Sequence, residues 1–429
     1  MVNGKKETRV YHFLLYLYQA GVFVASFFNH KVGLMLRGER AAFEILKQQV
    51  DPAARYVWFH AASLGEFEQG RPLMEELRRR RPELKILLTF FSPSGYEVRK
   101  NYDGADIVCY LPIDTVTNAR RFLRLVRPEM AYFIKYEFWY NYLHILKHRQ
   151  VPVYSVSSIF RPGQIFFRWY GRQYGNVLRC FTHFFVQNEQ SRDLLSSIGL
   201  DNATVTGDTR FDRVLKIKEN AKVLPLCEAF AADAERKGQH TLVVGSSWEA
   251  DEQVYLPYFA KHKEWRLIIA THVVSNERIE QLSGQLQQQG RSVATYQLSC
   301  DTGAALSSAE QVAQADVLLI NCYGLLSSIY RYGRVAYVGG GFGVGIHNLP
   351  EAAVWSMPVI FGPNNQRFQE AQDLKRQGGG FEVGTTADFA RIMDALASDE
   401  ASYKAAASAA GRYVAGRSGA TQKILEFAL

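Results

Sequence analysis

Short apolar runs separated by helical stretches recur along this chain, and that alternation limits its fold more than any other feature. Residues 56–60 (YVWFH), 85–90 (KILLTF), 107–111, 130–134 (MAYFI), 151–156 and 183–186 form a first series. A second runs through 241–244 (TLVV), 266–270 (RLIIA), 317–320 (VLLI), 335–338 (VAYV) and 358–361 (PVIF). Runs that are apolar throughout, rather than at every second residue, predict strands buried on both faces, as in a parallel sheet covered by helices. Two series in 429 residues predict two doubly wound α/β domains. The boundary is expected at 206–212, giving domains 37–206 and 207–429. A helical, alanine-rich stretch from about residue 402 can cross back at the end. Residues 287–314 are polar and read as a surface loop or peripheral hairpin. Open α/β sheets bind ligands beyond the carboxyl ends of their strands, so the loops there are the place to look for chemistry.

The first 36 residues stand apart. From Val10 to His30 there is no Asp, Glu, Lys or Arg; Lys5, Lys6 and Arg9 precede the stretch, and Lys31 and Arg37 follow it. The length suffices to span a bilayer, but Tyr11, His12, Tyr16, Tyr18, Gln19, Ser26 and Asn29 interrupt it. An interfacial or weakly spanning helix is the reading; a cleaved signal peptide and a buried core helix are the alternatives. A mean hydropathy of −0.16 excludes a polytopic membrane protein. Net charge is +8, which suits anionic partners, although five arginines within 71–81 fall at an expected helix end and read as structural. Cys109, Cys180, Cys227, Cys300 and Cys322 contain no CxxC pair, which argues against a disulfide scaffold or a zinc ribbon.

Four strand-end loops carry candidate chemistry. After the first strand, Ser63 and Glu66 have the spacing of a capping box; equally, Glu66 is a carboxylate able to take a hydroxyl proton. After MAYFI, Glu137 lies among aromatics, either as a polar contact for a ring-bearing ligand or as an acid at a helix start. Gly245, Ser246, Ser247 and Glu249 follow TLVV and offer small donors at a helix N-terminus, although Ser246 and Glu249 also have capping-box spacing. The strongest signal is GGGFGVG at 339–345, which lets backbone approach an anion closely. Its spacing matches neither a dinucleotide fingerprint nor a P-loop. Glu351 follows on a helix expected to start near Leu349, where a carboxylate can accept from ribose hydroxyls. His60, His272 and His347 read as hydrogen-bonding loop residues, and no metal is expected.

WFHAASLGEFEQGRPLMEEL, KYEFWYN, FFVQNEQSRDLLSSIGL, VTGDTRFDR and VGGGFGVGIHNLPEAAVWSMPVIFGPNNQRFQEA occur in this order. Together they resemble the 3-deoxy-D-manno-octulosonic acid (Kdo) transferases over roughly residues 10–425. The resemblance implies a GT-B fold of two Rossmann-like domains facing across a cleft, with a membrane-associated N-terminal helix at the cytoplasmic face of the bacterial inner membrane. It implies Kdo transfer from CMP-Kdo to a lipid A precursor in lipopolysaccharide biosynthesis, inverting and without cofactor or nucleic-acid partner. By the same resemblance Glu66 is the general base. Ser63, Gly65 and Glu137 lie on the acceptor side. Arg210, Gly245, Ser246, Ser247, Glu249, His272, Gly343, Gly345, Asn348 and Glu351 lie on the donor side.

Departures from the family pattern fall at Arg210 (lysine in the family), Thr271 (arginine), Tyr140 (proline) and 157–161. The contact made by the lost arginine would pass to Arg210, Arg278 or backbone amides. The competing readings are another GT-B enzyme, such as a UDP-sugar transferase or 2-epimerase, and a non-catalytic sugar-nucleotide-binding scaffold.

Overall fold

The structure is a computed structural model that describes residues 2–169, 171, 174–297 and 307–429, with side chains from residue 11 onward; Cys300 lies outside the described residues. The chain divides into two compact units, Met1–Arg213 with Ser418–Leu429, and Val214–Arg417.

The N-terminal unit holds strands β1 (Tyr56–Ala61), β2 (Lys85–Phe90), β3 (Ile107–Tyr110), β4 (Met130–Ile134), β5 (Val153–Ser158), β6 (His183–Val186) and β7 (Ala203–Val205). They form one parallel sheet in the order β3-β2-β1-β4-β5-β6-β7. The chain winds outward from β1 to β3 and then returns to β4, so the order reverses between β1 and β4. A crevice opens at such a reversal, at the carboxyl ends of the two strands. Apolar side chains divide by parity: Trp58, Leu87 and Phe133 enter one core, Val57, Phe59, Ile86 and Leu88 the other. Each such side chain contributes about 1.5–3 kcal/mol on burial, which is why these runs lack polar alternation.

The C-terminal unit repeats the design. Its strands are β8 (His240–Ser247), β9 (Trp265–Thr271), β10 (Val293–Tyr296), β11 (Val317–Ile320), β12 (Val335–Val338), β13 (Val359–Phe361) and β14 (Gly380–Glu382). The parallel order is β10-β11-β9-β8-β12-β13-β14, reversing between β8 and β12. Residues 287–314 differ from the expected loop: their described part carries β10 and the helix Ala309–Gln314, which Ser308 caps.

The uncharged N-terminal stretch forms two helices where one was expected. Helix α1 (Val2–Ala25) stops, and α2 (His30–Gln49) starts at Asn29, whose Oδ1 accepts from the Lys31 and Val32 amides at 3.0 and 3.3 Å. Asn is among the best N-caps, and an isolated Asn in an apolar run is the signal for the break. No helix among the described residues is long and apolar enough to cross a membrane. Tyr11 donates to Asp114 Oδ2 at 2.6 Å and His12 pairs with Asn141 Oδ1 at 3.1 Å, which ties α1 to the sheet's loops. The arginines of 71–81 are structural, held by ion pairs: Arg71 to Glu75, Arg79 and Arg80 to Glu76, and Arg78 to Asp106. The last helix, Ala420–Ala428, sits in the N-terminal unit, where Asp212 accepts from the Gly419 and Thr421 amides.

Candidate active site

In the N-terminal unit Glu66 and Glu137 leave the two strands that flank the reversal. Glu66 is in the first turn of α3 (Leu64–Arg80), which follows β1 after two residues. Ser63 is the N-cap, but its hydroxyl bonds no helix amide; it donates to the Glu66 carboxylate. The capping box that the spacing suggested is therefore not formed, and the serine orients the acid instead. Gly65 beside it is exposed, and a Cβ there would meet only Ser63 Oγ, at 3.8 Å. Glycine in a helix costs about 1 kcal/mol against alanine, and neither packing nor backbone angle requires it here. It leaves open ground next to Glu66.

Glu137 precedes the helix Tyr140–His148 rather than starting it. It accepts from Trp139 Nε1 at 2.7 Å and from His60 Nε2 at 3.1 Å. His60 is fully buried at the end of β1, not in a loop, and its Nδ1 meets Thr89 Oγ1 at 2.9 Å. Burial pushes the Glu137 carboxyl up, but the His60 and Trp139 hydrogen bonds outweigh it and hold the group below its ordinary value. Tyr136 precedes Glu137 in the loop; its phenol is raised first by burial and further by Glu66, against the pull of Arg161.

The backbone marks these loops independently. Among the described residues six non-glycine residues have positive φ. Arg127, Gln150 and Ser356 lead from helices into β4, β5 and β13. Lys135 (φ 60), Ser157 (φ 52) and Ser246 (φ 53) lie at the carboxyl ends of β4, β5 and β8. Strained residues of this kind cost on the order of 1 kcal/mol each and gather at functional sites. No sequence signal separates them from ordinary residues.

Behind α3 runs a buried polar chain the sequence did not announce. Gln69 Nε2 donates to both Asp208 oxygens at 3.0 Å, Thr209 Oγ1 donates to Gln69 O at 2.6 Å, and Ser157 Oγ meets Thr209 Oγ1 at 3.0 Å. Arg210 belongs to this chain through Asp208, at 2.9 Å, and to the N-terminal unit, where the sequence placed it with the donor residues beyond residue 207.

The C-terminal unit offers backbone and rings alongside its carboxylates. Ser246 bulges at the end of β8. Ser247 turns inward, 2% exposed, with Tyr255 Oη at 3.0 Å and Glu252 Oε1 at 3.2 Å. Neither caps the helix Glu249–Phe259; its N-cap is Trp248, whose amide donates to Asp251 Oδ2 at 3.0 Å. Asp251 also takes the Gly340 amide at 2.9 Å and the Tyr337 hydroxyl at 3.0 Å. It ties the helix start to the glycine loop, a role hidden in sequence because an acid in a first turn looks like a dipole partner. Arg278 pairs with Glu252 and is 12% exposed. Thr271, in the place of the family arginine, donates to Val273 O at 2.8 Å.

The glycine cluster divides by cause. A Cβ on Gly339 would strike Ser246 O at 2.3 Å, and one on Gly341 would strike Gly362 Cα at 2.5 Å, so packing requires both. Gly340 and Gly345 have φ of 94° and 111°. Gly343 meets nothing within 4 Å and is exposed. The amides of Gly339, Gly340, Gly343 and Gly345 are already bonded to Gly245 O, Asp251 and Gly340 O, so these four point into the loop. His272 stacks on Trp248 (4.3 Å, 20°) and on His347 (4.6 Å, 24°), and Trp248 Nε1 donates to His347 Nε2 at 3.3 Å. The two histidines thus form one platform, where the sequence had suggested separate loop residues. Burial, with His272 alongside, pushes the His347 imidazole down to about 4. Asn348 donates to Glu351 Oε1 at 2.8 Å, while its own Oδ1 is buried with no partner among the described residues. Among the described residues no group of acids, histidines and cysteines could hold a metal ion.

Residues 37–213 match the family described as 3-deoxy-D-manno-octulosonic-acid transferase (kdotransferase). The 3-deoxy-D-manno-octulosonic acid transferase of Aquifex aeolicus is 26% identical over 368 residues, 83% of this chain and 91% of that one. That of Bordetella pertussis is 28% identical over 400 residues, 87% of each. The chain is similar to the Kdo transferases over most of its length and is a glycosyltransferase.

Among solved structures, the UDP-GlcNAc 2-epimerase of Neisseria meningitidis superposes with a TM-score of 0.58 at 16% identity, covering 86% of this chain and 98% of that one. MurG of Acinetobacter baumannii does so with 0.51 at 11%, covering 87% and 99%. At such identity the likeness speaks for fold alone. With the two parallel sheets it gives this chain a GT-B fold.

Proposed function

We propose that the chain transfers Kdo from CMP-Kdo to a hydroxyl of a lipid A precursor, with inversion at the anomeric carbon and no metal. In this reading the N-terminal unit binds the acceptor and the C-terminal unit the nucleotide. Glu66 takes the acceptor hydroxyl proton while that oxygen bonds to the anomeric carbon. The anomeric carbon–oxygen bond to the phosphate breaks, and CMP leaves with the electron pair. Attack from the face opposite the leaving group inverts the centre. The Ser63 hydroxyl holds Glu66 in place, and Glu137, kept ionised by His60 and Trp139, accepts from a second acceptor hydroxyl. On the nucleotide, Glu351 takes ribose hydroxyls and Asn348 Oδ1 accepts from a ligand N–H or O–H. The start of the helix Glu249–Phe259 stabilises the phosphate charge, with Ser246 beside it, and this needs neither the absent family arginine nor Arg210 and Arg278, which already face carboxylates.

The observation that carries this reading is the placement of the two motif acids on either side of the β1/β4 reversal, in a chain whose family likeness runs through both units. Peripheral membrane attachment through α1 is part of the proposal, supported by its exposed Phe13, Leu14, Tyr16, Leu17 and Phe23. The test uses the whole protein in mild detergent with a tetra-acylated lipid A precursor and freshly generated CMP-Kdo. Mass spectrometry of the acceptor should gain the mass of Kdo in steps, and Glu66→Ala should abolish the gain. Turnover of a UDP-sugar in place of CMP-Kdo would overturn the proposal.

A further inference from the structure

Helix α1 is apolar on both sides. Phe13, Leu14 and Leu17 are exposed, while Tyr11, Leu15 and Val22, with the polar Gln19 among them, recur at helical spacing on a half-buried face. A helix that is hydrophobic all round has two apolar neighbours. One is the proposed membrane contact. The other is a cavity of about 220 Å³ between α1 and the loops that follow β2, β3 and β4, lined chiefly by Leu15, Tyr18, Phe91, Ile113, Phe138 and Trp139.

Three features give the cavity a direction. Trp139 lines it and donates to Glu137 with its indole nitrogen, so one side chain separates the cavity from Glu137. Tyr18 and Ile113 also line a second cavity of about 420 Å³ farther along α1, against Val22, Met35 and Leu36. That second cavity is bounded by Glu39, Arg40 and Arg121, which closes the apolar path with charge. The bonds from Tyr11 to Asp114 and from His12 to Asn141 hold α1 over the path.

We infer that this groove beneath α1 takes one acyl chain of the acceptor, with the chain's head beside Glu137 and its methyl end toward Glu39 and Arg121. The inference rests on the proposed acceptor class. It makes α1 a wall of the substrate site as well as a membrane contact, and it makes Leu15 and Ile113 determinants of acyl specificity.

The test compares the full-length protein with Leu15→Trp and Ile113→Trp, which fill the groove at two separate points, on a tetra-acylated precursor and on its fully deacylated form. The wild type should prefer the acylated acceptor, and each variant should lower the ratio of the two kcat/KM values about 10-fold or more, since each methylene kept out of the groove loses its burial. An unchanged ratio would overturn the inference. A second measurement does not depend on turnover or on the variants: the wild type is irradiated with the precursor carrying a diazirine near one acyl end. Label on the peptides of Leu15 and Ile113 is expected; label confined to Phe13, Leu14 and Leu17 would overturn the groove while leaving membrane contact intact. Absence of transfer to either acceptor would count against the proposed reaction, and the labelling pattern would still decide the groove.

Discussion

The two sheets share a winding and differ in how their reversal points are furnished. At β1/β4 the chain places side-chain acids, each held by side-chain partners: Ser63 on Glu66, His60 and Trp139 on Glu137. At β8/β12 it places glycines, a left-handed serine and a stack of rings, with the buried Asp251 binding backbone together. In the proposed reading the first arrangement moves a proton and the second receives the nucleotide, so that one scaffold would serve two tasks through the side chains at equivalent places.

The largest expected effect isolates the proton-moving side. Glu66→Gln keeps the shape and the Ser63 contact but not the basicity. It should lower kcat about 10³-fold with the KM for CMP-Kdo unchanged. A matching rise in donor KM would erase the contrast between the two reversal points. The converse variant is Glu351→Gln, which weakens the ribose contact; donor KM should rise about 10-fold, equivalent to roughly 1.4 kcal/mol, with a smaller change in kcat. Steady-state kinetics with each substrate varied in turn checks both.

Acid should separate the two units next. His347 has its folded value lowered to about 4 from an ordinary 6.5, so between these pH values the folded state binds fewer protons than the unfolded. Its contribution is fully present above about pH 6.5 and is lost as pH falls toward 4. Glu137 is also held below its ordinary value, so its contribution persists until pH falls below the usual carboxylate range. Acidification from pH 7 to 5 should then weaken the ring platform of the C-terminal unit first. The loss should be on the order of 1 kcal/mol, discounted because His347 is only half-buried. Thermal unfolding across this range, with His347→Asn as the reference against which the other titrating groups, Glu39 and Asp114 among them, cancel, checks the order; equal slopes in the two proteins would remove it.

Much of this division is legible in the amino-acid sequence. Five strands, at 85–90, 130–134, 183–186, 317–320 and 335–338, have the bounds of the apolar runs, because turn residues end each run abruptly. The edge strands β7 (Ala203–Val205), β10 (Val293–Tyr296) and β14 (Gly380–Glu382) are not legible, being short and mixed in polarity, with pairing on one side. The motif acids can be named from their order along the chain. Their partners cannot: His60 looks like a loop residue although it ends a buried strand, and Asp251 looks like a helix-dipole acid although it bonds Gly340, 89 residues away. Long-range hydrogen bonds leave no periodic trace, and left-handed turns at Lys135, Ser157 and Ser246 carry no glycine to announce them.

Ser63 and Thr385 set that limit in its sharpest form. Both stand three residues before an acid at a helix start, Glu66 and Asp388. Thr385 forms the reciprocal box, accepting the Asp388 amide at 3.1 Å while Asp388 Oδ2 accepts the Thr385 amide at 3.1 Å. Ser63 gives its hydroxyl to Glu66 and accepts no amide. Replacing an N-cap that bonds the helix costs about 1 kcal/mol; replacing one that does not should cost much less. Thr385→Ala should therefore lower stability by about 1 kcal/mol and leave transfer alone. Ser63→Ala should leave the denaturation midpoint nearly fixed while kcat falls several-fold, since Glu66 loses the donor that orients it. Equal loss of stability in the two variants would mean that Ser63 caps α3 after all and that the two helix starts do the same work.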